Sequence, residues 1–143
     1  MWHTVLMATL APIQPITTFM EALDITLLNI EAGLPVSALS ELVELTGLSW
    51  SAVYEIVIPA RTLKHRRAKK QPMTRDESDK VARVARVFDH AMRTFGDLQK
   101  ARLWMSRPKE RFEGRLPVQM LTTEAGSLMV EEMLGQIEYG FFA

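Results

Sequence analysis

Few residues in this 143-residue chain are suited to covalent or metal chemistry, and they are scattered. The three histidines, His3, His65 and His90, share no spacing that would bring two imidazoles onto one turn of a helix, so they do not read as metal ligands. The carboxylate pairs Glu41/Glu44 and Glu131/Glu132 fall on predicted outward faces of helices, where solvation is the expectation. Neither a G-x-x-x-x-G-K-[ST] phosphate loop nor a G-x-S-x-G elbow occurs. Cysteine is absent, which removes disulfides and thiolate-bound zinc and suits a reducing cytosol. No base, nucleophile or metal set coheres, so the sequence points away from an enzyme and implies no cofactor and no metal.

What remains is binding chemistry, carried by a run of cations and a run of aromatics. Between Arg61 and Lys70, six of ten residues are Lys or Arg and none is acidic, although the whole chain balances 17 basic against 17 acidic side chains. Such segregated charge neutralises phosphates with salt-sensitive affinity. The chain closes on Glu138-Tyr139-Gly140-Phe141-Phe142-Ala143. Three rings at a chain end expose apolar surface unless a partner or the protein's own core covers them, and both readings stay open. Met120, Met129 and Met133 lie nearby and offer adaptable apolar surface, or core.

The elements that must position these groups read as helices throughout. Hydrophobic residues make up 48% of the chain, ample for a packed interior. Phe19, Leu23, Leu27 and Ile30 recur at helical spacing, and Gly33 and Pro35 end that stretch. Ser37 to Leu45 forms a second helix, and Ser49 caps a third from Trp50 to Ile58. Thr74 and Glu77 form a capping box that opens a long helix ending at Phe95 before Gly96. Asp97 caps a helix that stops before Pro108, a charged Gly/Pro loop follows, and a last helix carries Val130, Met133, Leu134 and Ile137 on one face. The predicted fold is all-α. A helix-turn-helix-like unit spans 19–95, a small helical unit spans 96–143, and residues 1–18 form a leader whose order the sequence leaves open. The apolar N-terminus lacks a basic region, and no segment is long enough to span a membrane, so a cytoplasmic protein is expected.

The helices from Ser37 and from Trp50, joined by Thr46-Gly47-Leu48-Ser49, suit a helix-turn-helix. Its second helix would present Ser49, Trp50, Ser51 and Tyr54 to base edges, while Arg61, Lys64, Arg66 and Arg67 contact phosphates.

The stretch Gly33-Leu34-Pro35, Thr46-Gly47-Leu48-Ser49, Ile58 to Leu63 and Glu77-Ser78-Asp79 resembles the Xre-like part of the Xre/MbcA/ParS antitoxins. Phe95-Gly96-Asp97, Ala101, Trp104, Pro108, Pro117, Met120 to Gly126, Val130-Glu131 and Gln136 to Gly140 resemble their toxin-binding domain. The likeness runs from about Gly33 to the C-terminus. It departs from the family pattern in the loop Lys109 to Arg115, where family members often carry a small or apolar pair and Gly-Gly. The resemblance implies an antitoxin of a type II toxin–antitoxin pair whose partner is a RES-domain toxin acting on NAD. It implies occlusion of the toxin's NAD cleft and repression of the chain's own operon, as a homodimer or within a larger toxin complex, through operator DNA. The toxin contacts would then be Arg102, Arg107, Lys109 and Arg111, with Met133, Glu138, Tyr139, Phe141 and Phe142. A free-standing helix-turn-helix regulator, dimerising through its C-terminal half, is the alternative.

Overall fold

The computed structural model describes residues 17–140. Within them the chain forms eight α-helices and two 3-10 helices and no strand, as the hydrophobic periodicities predict. The helices are α1 (Phe19–Ala22), α2 (Leu27–Ala32), α3 (Ser37–Thr46), α4 (Trp50–Ile56), α5 (Ala60–Lys69), α6 (Arg75–Phe95), α7 (Leu98–Met105) and α8 (Glu124–Glu138). The 3-10 helices, Glu110–Phe112 and Pro117–Thr122, lie between α7 and α8. The expected leader, residues 1–18, falls almost wholly outside the described residues.

The long helix α6 is the axis of the fold. Its capping box forms as read: the Thr74 hydroxyl accepts from the Glu77 N–H at 3.1 Å, and the Thr74 N–H donates to Glu77 Oε1 at 2.8 Å. Gly96 closes it in the left-handed conformation, with φ of 67°. Val81, Val84, Ala85, Val87, Phe88 and Ala91 are buried along it, covering an arc of about 160°. A helix buried over so wide an arc has several neighbours, and α1, α2, α7 and α8 all pack against it. One buried cluster therefore runs from Phe19 to Leu134.

Two local readings change. The Phe19–Ile30 stretch is not one helix but α1 and α2, broken at Leu23–Thr26. Leu23 and Ile25 are both buried. In a continuous helix they would sit about 200° apart and could not face one core. The break turns at Asp24, at φ of 52°, and Thr26 caps the restart by accepting from the Asn29 N–H at 3.1 Å. The second change is the basic run, which is itself the helix α5. Pro59 precedes it with extended ψ, and Lys70 ends it in the left-handed region. Arg66, Arg67 and Lys69 sit in its last turn, where cations complement the helix dipole.

Buried polar groups fasten the N-terminal helices to α6. The Phe19 and Met20 N–H groups donate to the Asp89 carboxylate at 2.7 and 3.2 Å, which places an anion at the start of α1. The Leu34 N–H donates to Ser78 Oγ at 2.8 Å, and the Met73 N–H to the Leu34 carbonyl at 2.9 Å. The chain passes so close there that a side chain on Gly33 would collide with the Met73 carbonyl.

Candidate nucleic-acid and partner interfaces

Two helix pairs with tight turns follow each other. In the first, α3 meets α4 through Gly47-Leu48-Ser49, with Gly47 left-handed and Ser49 Oγ accepting from the Ala52 N–H at 3.1 Å. In the second, α4 meets α5 through Val57-Ile58-Pro59, of which Val57 and Ile58 are buried. The second pair ends in the basic helix. On α5 only Leu63 is buried, whereas Arg61, Lys64, His65 and Arg67 stand exposed. On α4, Val53 and Ile56 face the core, Ser51 is exposed and Glu55 projects a negative charge.

Trp50 and Tyr54 stack on α4 with ring centres 5.8 Å apart, and the Arg67 guanidinium lies 5.7 Å over the Trp50 ring. A cation held on an aromatic face fixes α5 against α4 and leaves the charge near the surface. Arg66 differs from its neighbours. Its Nε and Nη2 donate to the two Glu77 oxygens at 2.9 and 3.1 Å, a bidentate pair with 19% and 12% of the side chains exposed. Burial alone would raise the Glu77 pKa, but the Arg66 guanidinium and the Thr74 N–H outweigh it and hold the carboxyl below its usual range. The sequence predicts a phosphate contact for Arg66, whereas in the fold its fork is bonded to the Glu77 carboxylate.

The residues expected on the partner face separate in the same way. Arg102 Nε donates to the Thr46 carbonyl at 2.8 Å and Nη2 to the Leu45 carbonyl at 3.2 Å, so it caps the end of α3 from across the fold. Lys109 holds its ammonium 5.0 Å over the Trp104 ring, and burial, then the nearby Arg107 charge, push its pKa down. Arg111 donates to Gln136 on α8 at 2.7 Å. Met133 is buried. Glu138 pairs with His90 Nε2 at 3.3 Å. Arg107 is exposed, Tyr139 is 77% exposed at the end of α8, and Leu128 and Met129 are exposed nearer its start. Phe141 and Phe142 lie outside the described residues.

An ion-pair ladder joining α6 to α8 was not legible beforehand. Arg83 and Arg86 meet Glu124 at 3.0 and 2.9 Å, and Arg86 Nε lies 3.2 Å from Glu131. Glu131, expected to be merely solvated, thus sits between Arg86 and His90, while Glu132 is exposed as expected. The i, i+3 and i+4 spacing of Arg83, Arg86 and His90 was the available signal.

Comparison with known proteins matches this division. A family described as the antitoxin Xre-like helix-turn-helix domain matches residues 27–86, and one described as the antitoxin Xre/MbcA/ParS C-terminal toxin-binding domain matches residues 90–140. A Photorhabdus laumondii protein named Antitoxin Xre is 37% identical over 110 residues, covering 76% of this chain and 74% of that protein. The chain belongs to the Xre/MbcA/ParS antitoxin family. Other Xre antitoxins are closer in identity but aligned over less: one from Pseudomonas putida is 52% identical over 85 residues, and one from Yersinia enterocolitica 41% over 87. The chain spans 54% and 59% of the length of those two relatives. Both family matches end or begin within α6, so in this antitoxin fold one helix serves both units. Among the described residues, no helix is long and apolar enough to cross a membrane.

Proposed function

We propose that this chain is the antitoxin of a type II toxin–antitoxin pair, binding operator DNA through α5 and a RES-domain toxin through the end of α8. The observation that carries the DNA half is the position of the basic run: an exposed helix immediately after a tight turn. In a helix-turn-helix the second helix enters the major groove and the first crosses the backbone. The sequence predicts the motif one helix earlier, with α4 at the base edges; with α4 as first helix and α5 as second instead, Arg61 and Lys64 near the start of α5 reach base edges or flanking phosphates. Ser49, Ser51 and the Trp50–Tyr54 stack then meet the sugar–phosphate backbone. Arg67 buttresses that stack, and Arg66 sets the pose of α5 through Glu77. A homodimer would place two such helices on successive half-sites.

The toxin half is supported by exposed apolar surface late in the chain. Leu128, Met129 and Tyr139 leave aromatic and thioether surface uncovered, a composition favoured at interface centres. The tail from Tyr139, including Phe141 and Phe142, would fill the toxin's NAD cleft, with Arg111 and Glu138 at the rim. Co-expression with the neighbouring toxin gene tests this. Deleting Tyr139 to Ala143 should abolish growth rescue; intact rescue together with an intact complex would remove tail occlusion from the reading. For DNA, Lys64→Ala should weaken binding to the chain's own promoter and lower the salt slope by about one unit.

A further inference from the structure

We propose that Arg107 and Arg115, at the two feet of the loop between α7 and α8, form a second phosphate contact that extends the DNA surface beyond the helix-turn-helix. The inference rests on the operator-binding reading above. The loop is closed on itself: the Lys109 N–H donates to the Arg115 carbonyl at 3.1 Å, and the Gly114 N–H to the Lys109 carbonyl at 3.0 Å. Its two strands therefore leave side by side, through Ser106 and Leu116. Both of these residues line one cleft of about 270 Å³ with Gly47, Ser49 and Ala52, the turn and first turn of α4. Arg115 also lines a second cleft with Glu55, in the last turn of α4, and Gly126, in the first turn of α8. The seam is held by Arg102, whose guanidinium is bonded to the end of α3. The feet of the loop thus stand beside the start of α4, the end that meets the sugar–phosphate backbone in the proposed pose.

The charges fit the same ligand. No carboxylate among the described residues pairs with Arg107. Its charge acts on another cation, Lys109, which is fixed over Trp104. Among the described residues Arg115 makes one ion pair, to Glu113, stretched to 4.0 Å between two exposed side chains. The Arg107 and Lys109 charges together create a positive field that an incoming phosphate relieves. The apex of the loop faces elsewhere, since Arg111 bonds Gln136 on α8. The apex thus meets α8 near its end, whereas Ser106 and Leu116 at the feet line a cleft with the start of α4.

The test is fluorescence anisotropy with the full chain, a labelled duplex of its own promoter and an unrelated duplex of equal length, from 50 to 200 mM salt. Arg107→Ala/Arg115→Ala should lower the slope of log K against log salt by about 1.8, two contacts at 0.9 each, on both duplexes. Its thermal midpoint should stay unchanged, and Arg107→Lys/Arg115→Lys should restore the slope. If Lys64→Ala lowers the slope and the double alanine variant does not, the second contact is wrong and the helix-turn-helix reading stands. If neither variant moves the slope, both are wrong. An unchanged slope with loss of the complex with the neighbouring toxin would overturn the proposal in favour of a toxin contact.

Discussion

The Arg66–Glu77 pair separates two views of the basic helix by experiment. If Arg66 were a phosphate contact, Arg66→Met would weaken DNA binding and leave stability alone. The structure predicts the reverse emphasis. Arg66 makes two charge-assisted hydrogen bonds to a carboxylate that also closes the capping box of α6. Bonds to charged groups contribute about 1.5–3 kcal/mol each when buried. Both side chains here keep some solvent, and Glu77 retains the Thr74 N–H after the substitution, so roughly 1–2 kcal/mol is expected for Arg66→Met. Glu77→Ala removes both the pair and the cap, and about 2–3 kcal/mol follows. For a chain of this size that is a fall in thermal midpoint of roughly 5–12 °C. A solvent-facing substitution such as Lys64→Ala should stay within about 0.5 kcal/mol.

The pH dependence gives an independent check with a fixed sign. The folded-state pKa of Glu77 is depressed below 4.5, so its carboxylate favours the folded state at pH above that value. That contribution fades as pH falls through the lower folded-state pKa. The stability gap between wild type and Glu77→Gln should therefore be widest at neutral pH and narrow on acidification. Urea denaturation at several pH values measures it. A gap that is constant from neutral pH to pH 3, or an Arg66→Met variant as stable as wild type, would refute the assignment of Arg66 as an internal strut.

Three further substitutions probe the seams of the fold. Gly33→Ala should destabilise by about 2 kcal/mol or more in denaturant titration, because φ is 94° and the new methyl meets the Met73 carbonyl, a backbone atom that cannot move aside cheaply. Arg102→Met should cost about 1–2 kcal/mol by the same assay, since the carbonyls of Thr46 and Leu45 lose their charged donor, whereas an unchanged midpoint would place Arg102 back on the surface. Glu124→Gln should cost less than about 1 kcal/mol despite contacting both Arg83 and Arg86, and the difference should vanish in 1 M salt, because that carboxylate is half exposed.

Much of this architecture was legible because its signals are local. The capping box at Thr74, the stop at Gly96, and the caps at Ser49 and Asp97 depend on residues within a few positions of each other, and all four form. The break at Asp24 was not legible, since it depends on Leu23 and Ile25 reaching one core, a long-range demand that helical spacing of Phe19, Leu23 and Leu27 conceals. The helical state of 60–69 was hidden by its charge: with one buried residue, Leu63, it has almost no hydrophobic stripe to read. The fates of the arginines were least legible. Arg66, Arg102 and Arg107 look alike in sequence. One closes on a carboxylate 11 positions away, one caps a helix from 56 positions away, and one meets no carboxylate among the described residues, outcomes set by the fold and not by neighbouring sequence.

The polar anchors on α6 suggest why the two units share a core instead of meeting across a hinge. Along this one helix, Glu77 holds α5, Ser78 holds the strand-like segment before α3, Asp89 holds the start of α1, and Arg83, Arg86 and His90 hold α8. The first two lie in the turns nearest the basic helix, and His90 lies near the end of α8 from which Tyr139 projects. A rigid helix of 21 residues spans about 30 Å, so α6 fixes the separation of the two surfaces while Arg102 fixes their rotation at the α3 end. In such a frame, a toxin seated on the end of α8 and DNA seated on α5 would occupy set positions relative to each other.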